Sequence, residues 1–287
     1  MSMGNVRRRV VLPREIVRWA LAAGLLLTVS GCDMLSSTAQ WGVGSAAESG
    51  SYQMPRIQGA KAVLPPELWR NAAFTGALVG PLAEPGKARV EASACWTTRA
   101  KLAWDPQHLY VLIESIGPAP RSPFTKHDEL LHQADAVEIF LDVEGEHRQI
   151  VEIQVSPNGT TADYYHVWSE APSYPADKLD DDFYHAHHRA DLNWNLEGLR
   201  VQSSVEAAAE NRTRWTVMMA LPLAEPLRLA GLAPELRKGQ KIRANILRYA
   251  YKDENGQHVL NHYNLVPVRG GRPHQSPMAT AALVAAD

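Results

Sequence analysis

The sequence has only two cysteines, Cys32 and Cys95, among its 287 residues. Cys32 closes an N-terminal apolar run, so Cys95 is the one cysteine left in the body of the chain. A single cysteine cannot form an internal disulfide, which excludes a small disulfide-held scaffold. The fold must therefore depend on a hydrophobic core, and a domain of this size can bury enough apolar surface for that.

Clusters of basic residues are also missing from the body of the chain. The formal net charge is −2, and residues 1–31 hold five arginines and one glutamate, so the remainder carries −6. A mildly acidic body without a basic run argues against nucleic-acid binding.

The common catalytic motifs are absent as well. The chain contains no Gly-x-Ser-x-Gly, no His-Glu-x-x-His and no phosphate-binding P-loop. Glu138 and Asp142 are four residues apart on a predicted strand, which separates them by about 13 Å at roughly 3.3 Å per residue. Paired glycosidase carboxyls lie about 5–5.5 Å or about 6.5–9.5 Å apart. We therefore expect no enzymatic activity.

Long helical periodicity is scarce, and short alternating runs separated by turn residues dominate the chain. This pattern predicts an all-β fold, an antiparallel sandwich of two sheets, immunoglobulin-like or jelly-roll-like. Between Leu223 and Leu236 we expect at most a turn or two of helix. The predicted strands are Arg99–Trp104, Leu109–Ser115, Val137–Val143, Gln149–Ser156, Asp163–Ser169, Leu199–Ala207, Arg214–Ala220, Ile242–Tyr251, Val259–Leu265 and Met278–Val284.

The N-terminus is typical of a targeting segment. Arginines precede an apolar run from Trp19 to Val29, which ends in Val29-Ser30-Gly31-Cys32. This resembles a bacterial lipoprotein signal, in which the cysteine becomes the lipidated first residue. We predict a signal peptide over 1–31, a flexible tether over 32–56 that is rich in Ser, Ala and Gly, and one sandwich domain over 57–287. The protein is then anchored to a membrane through lipid on Cys32, on the extracytoplasmic side of a bacterial cell envelope.

The stretch from Gln133 to Asp142 is the centre of the predicted domain. Val137, Ile139 and Leu141 alternate with polar and aromatic residues, which predicts a strand that turns Ile139 toward the core. Period 2 turns Glu138 to the other face, where carboxylates flank Phe140. We interpret that face as the wall of a polar binding groove.

Residues 170–198 form the longest irregular insert. Asp180-Asp181-Asp182 and the histidines His185, His187 and His188 fall within it, next to several aromatic residues. Long loops in compact domains are often functional. The histidines can bind a transition metal only if another ligand comes from elsewhere.

The order of short motifs resembles the family 9 carbohydrate-binding modules and related bacterial proteins, over roughly Leu64 to Val284. The motifs are Trp104-Asp105, Leu109-Tyr110-Val111, Asp135-x-Val137-Glu138-Ile139-Phe140, Pro157-Asn158-Gly159, Trp215 running to Leu221-Pro222, Arg243-x-Asn245 and His274-x-x-Pro277. The resemblance implies a non-catalytic, saccharide-binding sandwich, a structural calcium ion as an option, and a glycan-degrading enzyme as a candidate partner.

The resemblance also implies a carbohydrate site. Two tryptophans clamp the sugar in characterised family members, and here His132 and His274 stand nearest to those positions. Glu138 matches the family's sugar-binding glutamate, and Gln154 is nearest to an arginine on the next strand. The predicted carbohydrate-binding residues are His132, Glu138, Gln154, Asn245, Arg248, Tyr263 and His274; Tyr263, like Trp168, Trp194 and Tyr251, offers a face on which a sugar ring can stack.

Two other classes of function remain open from the sequence. Related sandwich domains hold haem, and His132 with His274, or a histidine with Met218, can supply axial ligands, although no Cys-x-x-Cys-His is present for covalent attachment. The protein can also be a partner-binding scaffold without a small ligand.

Overall fold

The computed structural model describes residues 51–57, 64–80, 97–173, 180–254, 257–268 and 280–287, with the backbone alone for 252–254 and 257–259. The strands in these ranges are β1 (Tyr52–Met54), β2 (Thr97–Trp104), β3 (His108–Gly117), β4 (Ala136–Asp142), β5 (Gln149–Val155), β6 (Thr161–Trp168), β7 (His188–Asp191), β8 (Arg200–Ala208), β9 (Arg212–Pro222), β10 (Lys241–Glu254), β11 (Gln257–Asn264) and β12 (Ala281–Ala285). The helices are α1 (Asp181–His187) and α2 (Ala224–Leu229), with 3-10 turns at Pro66–Trp69 and Leu131–Gln133.

The strands form two sheets, which confirms the predicted all-β sandwich. The larger sheet has the order β1-β12-β10-β4-β5-β6-β7, with β11 also paired to β10. The smaller sheet has the order β2-β3-β9-β8. Neighbouring strands are antiparallel except that β1 runs parallel to β12. Central strand β4 lies between β10 and β5.

The main core lies between the two sheets. Ile139 on β4 is directly opposite Ile153 on β5 and Ile246 on β10, and all three are fully buried. From the smaller sheet, Trp215 and Val217 on β9 are buried as well. Ile246 shares its strand face with Arg248, whose guanidinium carbon lies 4.7 Å from the Trp215 ring centroid on the smaller sheet, so Ile139 points between the sheets as predicted.

The outer face of the larger sheet carries a second buried layer. Phe140 and Tyr164 pack there with Leu247 and Tyr249, and Leu131 covers them from the 3-10 turn. All seven residues of β4 are consequently buried, including Glu138 and Asp142. The sequence pattern predicted that β4 has one buried face and one face that lines an open groove. The prediction of an open groove was wrong, because the buried layer covers that face.

Ordered structure extends beyond two predicted boundaries. Strand β1 lies within the segment assigned to the tether, and its Met54 is fully buried, because backbone pairing with Ala285 brings it into the larger sheet. Helix α1 and strand β7 lie within the insert predicted to be irregular; Asp180 caps the helix by accepting a hydrogen bond from the Phe183 amide at 3.0 Å.

No helix in the described ranges is long and apolar enough to cross a membrane. The signal peptide, Cys32 and Cys95 lie outside the described residues.

Candidate functional site

The polar residues predicted at the centre of the chain meet on the outer face of the larger sheet. The register places Glu138 on β4 directly opposite Gln154 on β5, and Phe140 opposite Glu152. Directly paired residues of neighbouring antiparallel strands share a face. Glu138, Glu152 and Gln154 therefore form one polar row on that face.

Hydrogen bonds hold this row in a fixed arrangement. Gln154 Nε2 donates to Glu138 Oε1 at 2.8 Å and to Glu152 Oε1 at 2.6 Å. The hydroxyl of Tyr249, from β10, donates to Glu138 Oε2 at 2.9 Å. We call Glu138, Glu152, Gln154 and Tyr249 the Glu138 cluster.

A histidine pair extends the Glu138 cluster toward the edge of the sheet. His166 Nε2 lies 2.7 Å from Glu152 Oε2, and His166 Nδ1 lies 3.0 Å from His188 Nε2. The two imidazole rings stack with their centroids 5.1 Å apart. Because His188 begins β7, the insert supplies one member of this polar chain.

Burial sets the protonation of Glu138, whose residue surface is 1% exposed. Burial is the main cause that raises the pKa of Glu138 well above its ordinary value, and the neighbouring Glu152 raises it further. The bonds from Tyr249 and Gln154 oppose this shift. The cluster can therefore bind or release a proton at pH values where an ordinary glutamate is always charged.

The 3-10 turn Leu131–Gln133 covers the cluster from outside. The His132 amide donates to Gln154 Oε1 at 3.1 Å, and the Tyr251 hydroxyl donates to the His132 carbonyl at 3.4 Å. The His132 ring is partly exposed, with its centroid 6.3 Å from that of Tyr249. His132 thus lies between solvent and the buried cluster.

Asn245 shares the face of the cluster, opposite Phe140. Its amide group is engaged with the backbone of Val266: Nδ2 donates to the carbonyl at 2.9 Å, and Oδ1 accepts from the amide at 3.0 Å. Asn245 therefore holds the chain that follows β11, and these bonds occupy the groups predicted to contact a sugar.

The structure does not bring Arg248 and Tyr263 to this face. Arg248 is paired with Val137 and Tyr263, so all three point into the space between the sheets. The guanidinium carbon of Arg248 lies 4.7 Å from the ring centroid of Trp215 on the smaller sheet. The prediction that Arg248 and Tyr263 line the same site as Glu138 was wrong. Both are paired with residues on the inner face of the sheet, whereas Glu138 lies on the outer face.

The remaining sequence-predicted groups are dispersed. His274 lies outside the described residues. Trp168 is buried against Tyr184 and His188, and the ring of Trp194 is tilted against that of Tyr165, with the centroids 5.7 Å apart. Within the described part of the chain, His185, His187 and His188 do not form a group with converging ligand atoms.

Met218 bears on the haem hypothesis. It packs with Ala103 and Tyr110 on the outer face of the smaller sheet. His132 lies over the larger sheet, so these two side chains cannot be axial ligands of one haem.

Sequence reasoning missed Glu152, Tyr249 and His166 as members of the site. Glu152 could have been found, because period 2 places it on the same face as Gln154 along a correctly predicted strand. Tyr249 and His166 come from strands far away in sequence, and only the sheet register identifies them.

Similarity to known proteins is confined to solved structures, since no protein-family model and no curated protein matches the chain. A candidate carbohydrate-binding protein from Bacteroides uniformis aligns with a TM-score of 0.57 at 11% identity, over 81% of this chain and 97% of that one. A family 9 carbohydrate-binding module from Caldicellulosiruptor kristjanssonii, in complex with glucose, aligns with a TM-score of 0.48 at 15% identity, over 81% and 94%. The first likeness confirms the sandwich fold, and family 9 modules are among the structures to which this chain is similar.

Proposed function

We propose that this protein binds a saccharide without cleaving it, on the outer face of the larger sheet, with His132 at the mouth and Glu138 behind it. One observation carries the proposal: a polar cluster of Glu138, Glu152, Gln154 and Tyr249 is buried on a sheet face that apolar residues otherwise cover. Burying carboxyl groups costs free energy that an apolar layer would avoid. Buried groups with shifted pKa values are common at functional sites.

The chemistry of the cluster suits a sugar ligand. Carboxyl and amide groups exchange hydrogen bonds with hydroxyls, and a carboxylate can accept from two hydroxyls at once. The partly exposed ring of His132 offers a face for the C–H side of a sugar ring. The B. uniformis protein, described as a candidate carbohydrate-binding protein, is consistent with this assignment.

Access to Glu138 requires a local movement. The turn Leu131–Gln133 is tied to the cluster through the bond from the His132 amide to Gln154. We expect a saccharide to contact His132 first and to reach Glu138 when this turn shifts outward. Sugar hydroxyls then replace bonds that Glu138 makes within the cluster.

A glycan array tests the proposal. We expect at least one saccharide to bind the wild-type protein, and His132→Ala to weaken that signal because the stacking face is lost. His132→Trp should strengthen it by restoring a larger face. His108→Ala, a partly buried histidine on the smaller sheet, is the matched control and should behave like the wild type. If no saccharide binds, the partner-binding scaffold replaces this proposal.

We further propose that lipid on Cys32 anchors the protein on the extracytoplasmic side of the cell envelope, where a glycan-degrading enzyme is a candidate partner. Several acyl chains anchor a protein stably, whereas one binds only marginally. Cys32→Ala should prevent lipidation and move the protein out of the membrane fraction. Wild-type levels of the variant in that fraction would contradict the anchor.

A further inference from the structure

A second polar cluster lies at the edge of the sandwich, away from Glu138. His127 and Asp128 come from the loop before the turn at Leu131–Gln133, Asp163 comes from β6, and Asn195 follows β7. His127, Asp163 and Asn195 border a cavity of about 400 Å³ that Val201 of β8 also lines. Three separate segments of chain meet at this cavity.

The ligand-type atoms of this cluster converge. His127 Nε2 lies 3.2 Å from Asp163 Oδ1 and 3.4 Å from Asp128 Oδ1. One atom from each of these three residues lies within 4.8 Å of the others, and no other such group occurs among the described residues. Donors about 2.0–2.2 Å from one metal ion are about 3–3.5 Å apart, which these two separations match.

Both ring nitrogens of His127 lie close to oxygen atoms. Nδ1 lies 2.9 Å from the Thr161 carbonyl oxygen and 3.1 Å from the Thr161 hydroxyl, so the tautomer with its proton on Nδ1 donates to that carbonyl. Nε2 faces the two carboxylates and also Asn195 Oδ1, at 2.6 Å. Asn195 Nδ2 donates to the Asn193 carbonyl, which fixes the oxygen of the amide toward His127. In that tautomer the lone pair of Nε2 faces three oxygens, and this arrangement is repulsive unless a proton or a metal ion lies between them.

Asp163 points independently to a ligand. Its side chain is only 2% exposed, and within the described residues its Oδ1 accepts no hydrogen bond. The other oxygen, Oδ2, accepts from the Leu196 amide. A buried carboxylate oxygen without a donor costs free energy unless a cation compensates it.

We propose that His127 Nε2, Asp128 Oδ1 and Asp163 Oδ1 bind a divalent first-row transition-metal ion of the zinc type. Imidazole favours such ions over calcium and magnesium, and carboxylates complete the set. Ligating histidines usually donate their other ring proton to a carbonyl or carboxylate, and the Thr161 carbonyl lies 2.9 Å from Nδ1 of His127 to accept it. Asn195 Oδ1 lies only 2.6 Å from Nε2, which is too close for both atoms to bind one ion. The fourth coordination position is therefore open to a water in the cavity, or to Asn195 if its side chain moves outward.

The metal would add a further link between segments of the chain that already meet here. Asp163 belongs to the larger sheet and binds the Leu196 amide, while His127 reaches across to Thr161 and Asn195. An ion at this point fixes the end of the insert against the sheet. Because an ion that binds the folded state stabilises it, added zinc should raise the melting temperature.

Equilibrium dialysis of the full chain with Zn²⁺, followed by elemental analysis, tests the site. Asp163→Asn keeps an oxygen that can accept from the Leu196 amide, and Asp128→Asn changes a partly exposed side chain. Two variants are used so that at least one of them folds. Each should weaken zinc binding by at least about tenfold, because loss of even an outer-shell partner costs about 10–100-fold. His108→Ala is the matched control: His108 lies 3.3 Å from one carboxylate, Asp105, and should keep wild-type binding.

Co²⁺ provides a direct readout of the ligands. We expect visible ligand-field absorption in the wild type that disappears in His127→Ala. Zinc binding that is the same in the wild type, Asp163→Asn and Asp128→Asn would overturn the proposal. So would binding of Ca²⁺ in place of Zn²⁺, or a wild-type chain that binds neither ion, in which case a proton on His127 supplies the charge.

Discussion

Arg248→Met should lower the free energy of unfolding by about 3–5 kcal/mol, the usual cost of leaving one charge of a buried ion pair without its partner. Arg248 Nη2 donates to Asp135 Oδ1 at 2.6 Å, with 1% and 6% of the two side chains exposed. Burial lowers the pKa of Arg248, and Asp135 raises it again. The variant leaves Asp135 with two backbone donors, from Arg121 and Tyr251, and no cation.

Denaturant titration of three proteins separates the charge from the packing. The double variant Asp135→Asn with Arg248→Met should recover part of the loss, because no buried charge is then left unpaired. Arg212→Met, which breaks the exposed pair with Glu210, should cost less than about 1 kcal/mol. A loss below about 1 kcal/mol for Arg248→Met would mean that the arginine is not between the sheets.

Arg248 also shows why part of the site could not be read from the sequence. On β10, Ile246, Leu247, Arg248 and Tyr249 are all buried, since this strand has a packed layer on each face. Alternation of polar and apolar residues reveals a face only when one side is solvated. The face of Arg248 therefore depends on its pairing with Val137, which local sequence does not specify.

The fold was predictable because its signals are local. Turn residues such as Asp105-Pro106 and Pro157-Asn158-Gly159 separate the strands, and β-branched runs mark their interiors. The missed strands β1 and β7 are three and four residues long, too short to show a period. The cover over Glu138 was missed for a different reason: Leu131 and His132 form it from a 3-10 turn with no regular pattern.

Glu138→Gln should weaken saccharide binding by about tenfold, equivalent to about 1.4 kcal/mol. The amide keeps the size of the side chain but cannot become a carboxylate that accepts from two sugar hydroxyls. Charge-assisted bonds of that kind contribute about 1.5–3 kcal/mol each. Burial favours the uncharged, protonated form of Glu138, and the glutamine amide is uncharged as well. The melting temperature should therefore hardly change.

The raised pKa of Glu138 gives this prediction a pH dependence with a definite sign. A ligand that stabilises the carboxylate binds more tightly as pH rises through the raised pKa, up to about tenfold per pH unit for one proton. The Glu138→Gln variant has no proton to lose at this position, so its affinity should lack that increase.

Calorimetric titration of a saccharide identified on the array into Glu138→Gln and Glu197→Gln tests the central claim most directly. Glu197 is an exposed carboxylate on the cavity beside His127, so its variant carries the same chemical change at a different place. We predict about tenfold weaker binding for Glu138→Gln and wild-type affinity for Glu197→Gln. Unchanged affinity in Glu138→Gln would contradict a saccharide site over Glu138, and weakened affinity in Glu197→Gln alone would place that site at the cavity.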